Sequence, residues 1–311
     1  MALGLAVIVL LAMFGMPLFA VVLAVAMLGF ALAGIDLSVI VADMYRIVDL
    51  PLVVSLPLFT FAGYVMSEAK TSTRLMNLTT ALVGWMPAGL AIVGFAASAV
   101  FTALTGASGV TIVALGALLL PMLINAGYSE RFSTGLVTSS GSLGLLIVPS
   151  VPLILYGIVA QQMDVGPSFT IQQLFLAGVF PVILMLIALS GWTVIRHRGV
   201  PRTRFEGTAV WDAVVAARWE IPLPFVVLGS IYSGFIAVSE AAAITALYVL
   251  LVEVFAYKEI KLRALPSIIR ESMMMVGSII LILIAAMTLS SYLIDQQVPQ
   301  RLFQFMEASI T

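Results

Sequence analysis

The residues of this sequence that could do chemistry are hydroxyls and glycines rather than charged groups. The stretch "TALTGASGVT" (102–111) places three threonines, one serine and two glycines in a run with no charged residue between Arg74 and Glu130. Hydroxyls and freed backbone carbonyls can replace the water shell of a cation, and a helix N-terminus can hold an anion. The stretch therefore indicates binding of a cation or an anion in apolar surroundings.

The run from 75 to 129 is too long for one membrane crossing, and its centre is a poor helix former. Gly106 and Gly109 flank Ala107-Ser108, and glycines lower helix preference and let a backbone approach a ligand closely. One interpretation is a re-entrant hairpin with its tip near these glycines, which requires burial in protein or contact with a watery cavity. The other is close helix packing through small residues.

A second polar stretch, "SSGSLGLLIVPSVP" (139–152), interrupts an apolar run. Its prolines remove backbone donors and clash with the preceding turn, and its serines could satisfy the freed groups. The pattern predicts a discontinuous helix or, alternatively, a helix that is only kinked. Two such segments close together are typical of a transporter binding site.

A third stretch, "SGFIAVSEAAAITA" (233–246), contains Glu240 between apolar segments. A carboxylate inside a membrane is a candidate functional group. Beside Ser239 it could instead cap the next helix, and we favour this structural role.

Composition places the chain in lipid. It is 62% hydrophobic and 9% charged, whereas soluble domains carry roughly 25% charged residues. The net charge of −1 argues against a nucleic-acid partner, and the lack of cysteine excludes disulfides and thiolate metal sites. There is no phosphate-binding loop and no HExxH motif, and His197 is interpreted as a solvated loop histidine. We expect neither enzyme activity nor an organic cofactor.

Nine apolar segments are candidates for crossing the membrane, which takes about 20 residues per helix. They are 3–33, 50–67, 86–104, 110–127, 132–160, 170–195, 221–236, 238–256 and 273–294. The first has no basic region before it and is longer than a signal-peptide core, so it is expected to remain as an anchor, broken at Pro17. The stretches 36–49 and 71–86 favour interfacial helices or connectors, the second capped by Thr71 or Ser72.

Basic residues form two groups, which mark cytoplasmic loops. They are Arg196, Arg198, Arg202, Arg204 and Arg218, then Lys258, Lys261, Arg263 and Arg270. The chain between the groups should cross an even number of times. No lysine or arginine precedes Arg46, so the N-terminus is expected on the periplasmic side.

The order and spacing of the polar stretches resemble the large membrane subunit of TRAP (tripartite ATP-independent periplasmic) transporters, the DctM-like permeases. Four stretches carry the resemblance, which covers essentially the whole chain. They are "LPLFTFAG" (56–63), "TGASGVT" (105–111) followed by Gly116, Pro121 and "GY", "GSLGLLIVPS" (141–150) followed by "YG", and 234–242. The sequence departs from the family pattern at Ala107, Val148 and Val238-Ser239. These departures change side chains and leave backbone ligands unaffected.

The resemblance implies an all-α polytopic membrane protein similar to the ion-transporter superfamily, with a re-entrant hairpin, a discontinuous helix and an elevator mechanism. Residues 1–85 would form scaffold and interfacial or arm helices, and 86–160 half of the transport domain. Residues 161–311 would form further helices, a linker and the start of a second inverted repeat. No second copy of "TGASGVT" or "GLLIVPS" is present, so we expect this repeat to be incomplete and the family's C-terminal part to be lacking.

The resemblance also implies function: sodium-coupled symport of a small organic anion (C4-dicarboxylate, sialic acid or a similar carboxylate) into bacteria across the inner membrane. The implied partners are a small TRAP membrane subunit and a periplasmic substrate-binding protein, with Na+ as coupling ion. The alternative is a truncated or split permease half that acts as a scaffold or needs a second chain.

The candidate contacts for ion and substrate lie in the first two polar stretches. They are Thr105, Gly106, Ser108, Gly109, Thr111, Gly141, Gly144, Pro149 and Ser150. The candidates for Na+ are Gly106, Ser108, Gly141 and Gly144.

Overall fold

The computed structural model of the protein describes residues 2–106, 108–147, 150–162, 169–197, 205–298, 300–301 and 304–306. Every regular element within these residues is a helix. The α-helices are α1 (Ala2–Met13), α2 (Leu18–Ala33), α3 (Ser38–Val48), α4 (Pro51–Glu68), α5 (Thr71–Val83), α6 (Gly89–Thr105), α7 (Ser108–Asn125), α8 (Glu130–Ser140), α9 (Val151–Gln162), α10 (Ile171–Arg196), α11 (Gly207–Ala216), α12 (Pro222–Tyr232), α13 (Val238–Leu251) and α14 (Leu265–Asp295). Two 3₁₀ helices (Leu143–Leu146 and Leu262–Ala264) and a π-helix (Val252–Ala256) complete the set. The predicted all-α class is confirmed.

Five helical segments of the described residues are long and apolar enough to cross a membrane. They are α4, α7, α10, α13 with its π-helix, and Leu262–Asp295. The bent pair Glu130–Leu146 and Val151–Gln161 makes a sixth if it forms one span. The predicted span 221–236 coincides with α12, whose 11 residues are too few for a crossing. These helices are those of a multi-pass membrane protein.

The chain divides into two compact units, which are described separately. The terminal unit comprises Met1–Val53 and Met274–Thr311, and the central unit comprises Val54–Met273. The predicted division at residues 85 and 160 concerns function and stays a prediction.

In the terminal unit, α1 packs against α2. The predicted break at Pro17 is confirmed, because α1 ends at Met13 and α2 begins at Leu18. Gly29 allows the ring of Tyr292 to approach α2, since a Cβ atom there would lie 2.5 Å from Tyr292 Cζ. Phe30 meets the same ring edge-on, with 5.5 Å between centroids.

In the central unit, α6 lies among α5, α7, α8, α10 and the 3₁₀ helix Leu143–Leu146. Phe101 of α6, Leu115 and Leu119 of α7, and Phe175 of α10 are fully buried. Small side chains of α6, including Ala91, Ala97 and Ala99, are also buried, which lets neighbouring helices pack closely against it. This core holds the two segments that the sequence marks as polar.

The start of α5 corrects one prediction. Helix α5 begins at Thr71, but neither Thr71 nor Ser72 caps it, since Lys70 occupies the N-cap position without a side-chain cap. The Lys70 N–H instead donates to Glu259 Oε2 at 2.7 Å. A carboxylate distant in sequence supplies the cap that a local hydroxyl was expected to provide.

Candidate functional site

The first polar stretch forms a reversal of the chain between α6 and α7. Gly106 follows α6 in a left-handed conformation (φ 68°), and α7 begins at Ser108. Thr102 Oγ1 and Thr111 Oγ1 lie 2.8 Å apart, whereas nine residues of continuous helix would separate their Cα atoms by about 13 Å. The predicted reversal near Gly106 is therefore present, and its depth in a membrane stays a prediction.

The second polar stretch interrupts the next helix. Helix α8 ends at Ser140, a 3₁₀ helix covers Leu143–Leu146, and α9 begins at Val151. The segments on the two sides of this break differ in direction by 46°. Ser150, fully buried, donates its hydroxyl proton to the Leu145 carbonyl and lies 3.4 Å from the Leu153 amide.

A buried hydroxyl joins these two segments. Thr102 Oγ1 lies 3.0 Å from the carbonyl oxygen of Gly141, at the end of α8. Ser98 lies one turn before Thr102 on α6, and its Oγ accepts a hydrogen bond from Ser140 Oγ at 3.0 Å. Thr105 Oγ1 lies 3.4 Å from Thr111 Oγ1. The chain reversal and the helix break thus form one hydroxyl cluster.

Glycines bring the backbones at this cluster together. A Cβ atom on Gly144 would collide with the Ala99 carbonyl oxygen and lie 2.7 Å from the Ala103 amide nitrogen. A Cβ atom on Gly141 would lie 2.5 Å from Ile112 Cγ1. The absent side chain is a packing requirement at Gly144, because the helix backbone that it faces cannot shift as a flexible side chain can. At Gly141 the close neighbour is the side chain of Ile112, which can move more easily.

The hydroxyl cluster carries no charge. Its members Thr102, Thr105, Thr111, Ser98 and Ser140 are at most 1% exposed. Buried hydroxyls must pair with something, and here they pair with one another and with a backbone carbonyl. Such groups can exchange a protein partner for a cation or a carboxylate at smaller cost than a buried ion pair.

An open cavity of about 820 Å³ leads along α8 to Ser142. Its lining is Glu130, Arg131, Thr134, Gly135, Thr138, Ser139 and Ser142. These residues are exposed, whereas Ser133, Leu136, Val137 and Ser140 on the same helix are buried. A polar face of this kind requires water or polar partners rather than lipid.

The structure brings together only part of the predicted site. Thr105, Gly106, Thr111, Gly141 and Gly144 lie in or against the hydroxyl cluster. Ser108 is half-buried, and its carbonyl oxygen would lie 3.3 Å from a Cβ atom on Gly141. Gly109 is exposed and faces open space, Ser150 pairs locally, and Pro149 lies outside the described residues.

Two further residues lie apart from this cluster. Glu240 Oε2 accepts the Ala237 N–H at 2.8 Å in the first turn of α13, which is the contact that a capping role predicts. His197, expected in solvent, instead packs its ring 4.3 Å from the ring centroid of Phe132 and 5.2 Å from that of Tyr128. Arg198, Arg202 and Arg204 lie outside the described residues.

Sequence reasoning missed Thr102 as a central member and Ser98 as a partner. Thr102 opens the quoted stretch, but it lies inside a helix, where a single threonine is ordinary. The available signal was its spacing: Ser98, Thr102 and Thr105 recur at the 3–4-residue period of one helix face.

The chain matches a known protein family. The family described as "Tripartite ATP-independent periplasmic transporter, DctM component" matches residues 4–310. The chain is 31% identical over 287 residues to the C4-dicarboxylate TRAP transporter large permease protein DctM of Rhodobacter capsulatus, covering 89% of this chain and 65% of that protein.

Two other relatives match to a similar extent. The ectoine/5-hydroxyectoine TRAP transporter large permease protein UehC of Ruegeria pomeroyi is 32% identical, covering 94% of this chain and 68% of that protein. The 2,3-diketo-L-gulonate TRAP transporter large permease protein YiaN of Escherichia coli is 29% identical, covering 90% and 65%. This chain spans about two thirds of the length of these relatives.

The fold is that of a multi-pass, all-helical membrane protein with a polar cluster at two helix breaks. The chain belongs to the DctM family of TRAP transporter large permeases. The resemblance deduced from its sequence is confirmed.

Proposed function

We propose that the protein is the large membrane subunit of a secondary transporter that imports a small organic anion, with Na+ as coupling ion, through an elevator movement. The observation that carries this proposal is the uncharged hydroxyl cluster where the α6–α7 reversal meets the break after α8. Oxygen ligands without charge suit a monovalent cation that must bind and leave again. The comparisons do not favour the alternative of a permease half without transport of its own.

The cavity along α8 supports an aqueous route to this cluster. Its walls offer hydroxyls from Thr134, Thr138 and Ser142, with Arg131 as a cation and Glu130 as an anion. An arginine can attract a carboxylate, and the hydroxyls can orient it. The relatives are named as transporters of C4-dicarboxylates, of ectoine and 5-hydroxyectoine, and of 2,3-diketo-L-gulonate. We infer a small carboxylate as substrate.

The partners in this proposal are a small TRAP membrane subunit and a periplasmic binding protein, and the location is the inner membrane with a periplasmic N-terminus. Because the chain has no cysteine, single introduced cysteines can report which side of the membrane each loop occupies. Labelling of Lys261→Cys from the cytoplasm, and of Ala2→Cys at the N-terminus from the periplasm, is expected. The opposite pattern would reject this orientation.

The transport proposal is tested by uptake into proteoliposomes that contain this chain, its small subunit and its binding protein. Labelled succinate and ectoine are the probes, with an inward gradient of Na+ or of K+. We expect uptake of at least one probe with Na+ and at most a tenth as much with K+. Uptake that is equal in the two salts would reject sodium coupling.

The cavity is tested in the same assay. Thr138→Trp fills the lining of the cavity from an exposed position and should lower uptake at least tenfold. Thr208→Trp is the matched control, because Thr208 is exposed in the first turn of α11 and does not line the cavity. If the two variants transport equally well, the cavity is not the route.

A further inference from the structure

A second polar cluster of the central unit has no part in the proposed transport site. The guanidinium of Arg74 contacts three carboxylates, which we call the arginine cluster together with Arg74 itself. Arg74 Nε contacts Glu220, Nη1 lies 2.7 Å from Glu259 Oε1, and Nη2 lies 3.1 Å from Glu253 Oε1. One guanidinium thus contacts three carboxyl groups.

The arginine cluster is buried. The side chains of Arg74, Glu220 and Glu253 are 9%, 2% and 2% exposed, and that of Glu259 is 20% exposed. The ion pairs that the described residues make here all use Arg74. The nearby basic residues Lys70, Arg218, Lys258 and Lys261 are exposed. Among the described residues no group of His, Cys, Asp or Glu is arranged to hold a metal ion.

Arg74 stays positively charged in these surroundings. Burial alone lowers the pKa of its guanidinium, but the carboxylates around it outweigh this effect and raise the pKa overall. The ring of Tyr257 lies below the guanidinium, with 3.8 Å between Cζ and the ring centroid. Fully ionised, the four-residue cluster would carry a charge of −2, which is costly in a buried position.

The hydrogen bonds of Tyr257 provide a second line of evidence on how many protons the cluster holds. Its hydroxyl oxygen lies 2.7 Å from the Ala216 carbonyl oxygen and 2.8 Å from Glu220 Oε2. Burial, together with Glu220, raises the pKa of Tyr257, so the phenol keeps its one proton at neutral pH. The phenol donates its single proton to one of these two oxygens, and both contacts are hydrogen bonds at once only if a carboxyl of the cluster also carries a proton.

The arginine cluster fastens α5 to chain segments that follow much later. Thr71 Oγ1 donates to Glu253 Oε1 at 2.8 Å, and the Lys70 N–H donates to Glu259 Oε2. Glu253 lies on the π-helix, and Lys258 in the turn that leads to Glu259 has a positive φ of 56°. A non-glycine residue in this conformation persists only where its surroundings hold it.

We propose that the arginine cluster keeps one proton at neutral pH, and that losing this proton at higher pH weakens the attachment of α5 to residues 216–260. Loss of the proton raises the negative charge of the cluster without adding a cation. The titratable and charged groups that face one another here are Arg74, Glu220, Glu253, Glu259 and Tyr257, and Tyr248 donates to the Trp219 carbonyl beside Glu220. Lys70, Arg218, Lys258 and Lys261 are close to them in sequence and exposed. This is a pH-sensitive device, separate from the transport site.

The sign of the pH dependence follows from proton counts. An unfolded glutamate loses its proton near pH 4.3, at about its ordinary pKa. The folded cluster keeps one proton to higher pH, so the folded state binds more protons than the unfolded state in this range. Stability therefore falls as pH rises, with up to about a tenfold change in the unfolding equilibrium per pH unit.

The test combines infrared spectroscopy with hydrogen exchange on the full-length chain in detergent. With glutamate carboxyl carbons labelled with ¹³C, we expect a protonated carboxyl band at pH 7 that is lost by pH 9. Exchange of the α5 amides, corrected for its intrinsic pH dependence, should quicken at least tenfold over the same interval. Glu220→Gln or Glu253→Gln should remove the band and flatten the exchange profile. Glu271→Gln, at an exposed residue outside the cluster, should keep both signals.

The proposal fails if the wild-type chain shows no labelled carboxyl band at pH 7. It also fails if both glutamine variants at positions 220 and 253 keep the wild-type pH dependence of α5 exchange. Should a variant not fold, the infrared titration of the wild-type chain alone decides.

Discussion

The central unit contains two buried polar clusters, and each connects separate helical segments through a different kind of polar group. The hydroxyl cluster around Thr102 has no charge and joins two helix breaks that lie close in sequence. The arginine cluster around Arg74 is charged and joins segments 146 to 185 residues apart. A neutral cluster can change partners at low cost, whereas a charged cluster is held firmly as long as its partners stay.

In the proposed function this difference gives the clusters different tasks. Binding and release of an ion require groups whose protein partners can be replaced, and the hydroxyl cluster would provide them. Fastening a helix requires groups that are costly to separate, and the arginine cluster provides those. Substitutions in the arginine cluster should therefore have the larger effect on the stability of the protein. Substitutions in the hydroxyl cluster should have the larger effect on transport.

The largest effect is expected for Arg74→Gln. Removing the guanidinium leaves three carboxylates without a cation, and losing one partner of a buried ion pair costs about 3–5 kcal/mol. The loss should be smaller at pH 5 than at pH 8, because carboxyls without a partner take up protons instead. Thermal unfolding in detergent at the two pH values measures it.

Arg74→Lys is the matched control for this prediction. Lysine keeps the charge but lacks the planar fork that reaches three carboxylates, so its unfolding temperature should lie between those of Arg74→Gln and the wild type. An unfolding temperature of Arg74→Gln within 2 °C of the wild type, about the shift for 1 kcal/mol or less, would show that the cluster does not fasten α5.

A smaller loss, about 2–3 kcal/mol, is expected for Gly144→Ala. The added methyl group would meet the backbone of α6 at Ala99 and Ala103, and overpacking of this kind costs about 1–3 kcal/mol. Gly191→Ala is the control, because a Cβ atom on Gly191 meets nothing within 4 Å and alanine favours a helix by about 1 kcal/mol. Equal unfolding temperatures for the two variants would contradict the packing role of Gly144.

The sequence predicted the hydroxyl cluster better than the arginine cluster, and the reason is distance along the chain. Glycine and proline act on the backbone within one or two residues, so "TGASG" and "SSGSLGLL" predict where helices are interrupted. The spacing of Ser98, Thr102 and Thr105 marks one helix face, but it does not show which group that face meets, since the Thr102 partner Gly141 comes 39 residues later. Nothing local links Arg74 to Glu220, Glu253 and Glu259, and Thr71 was wrongly expected to act as a helix cap for the same reason.

The smallest effect on stability, about 1–2 kcal/mol, is expected for Thr102→Val. Valine matches threonine in shape but removes the hydroxyl that pairs with Gly141 and Thr111, and an unpaired buried carbonyl costs about 1–3 kcal/mol. Thr193→Val is the control, since the Thr193 hydroxyl is equally buried and, within the described part of the chain, bonds the Leu189 carbonyl of its own helix. That carbonyl keeps its backbone partner, so the control should lose less than about 0.5 kcal/mol.

The same pair of variants shows whether the Thr102 hydroxyl only holds the two helix breaks together or also takes part in binding Na+. In the proteoliposome assay, Thr102→Val should raise the Na+ concentration needed for half-maximal uptake several-fold, while Thr193→Val should leave it unchanged. If Thr102→Val changes only the unfolding temperature, the hydroxyl holds the two helix breaks together and takes no part in ion binding. The contrast between a neutral cluster that exchanges partners and a charged cluster that keeps them would then be lost.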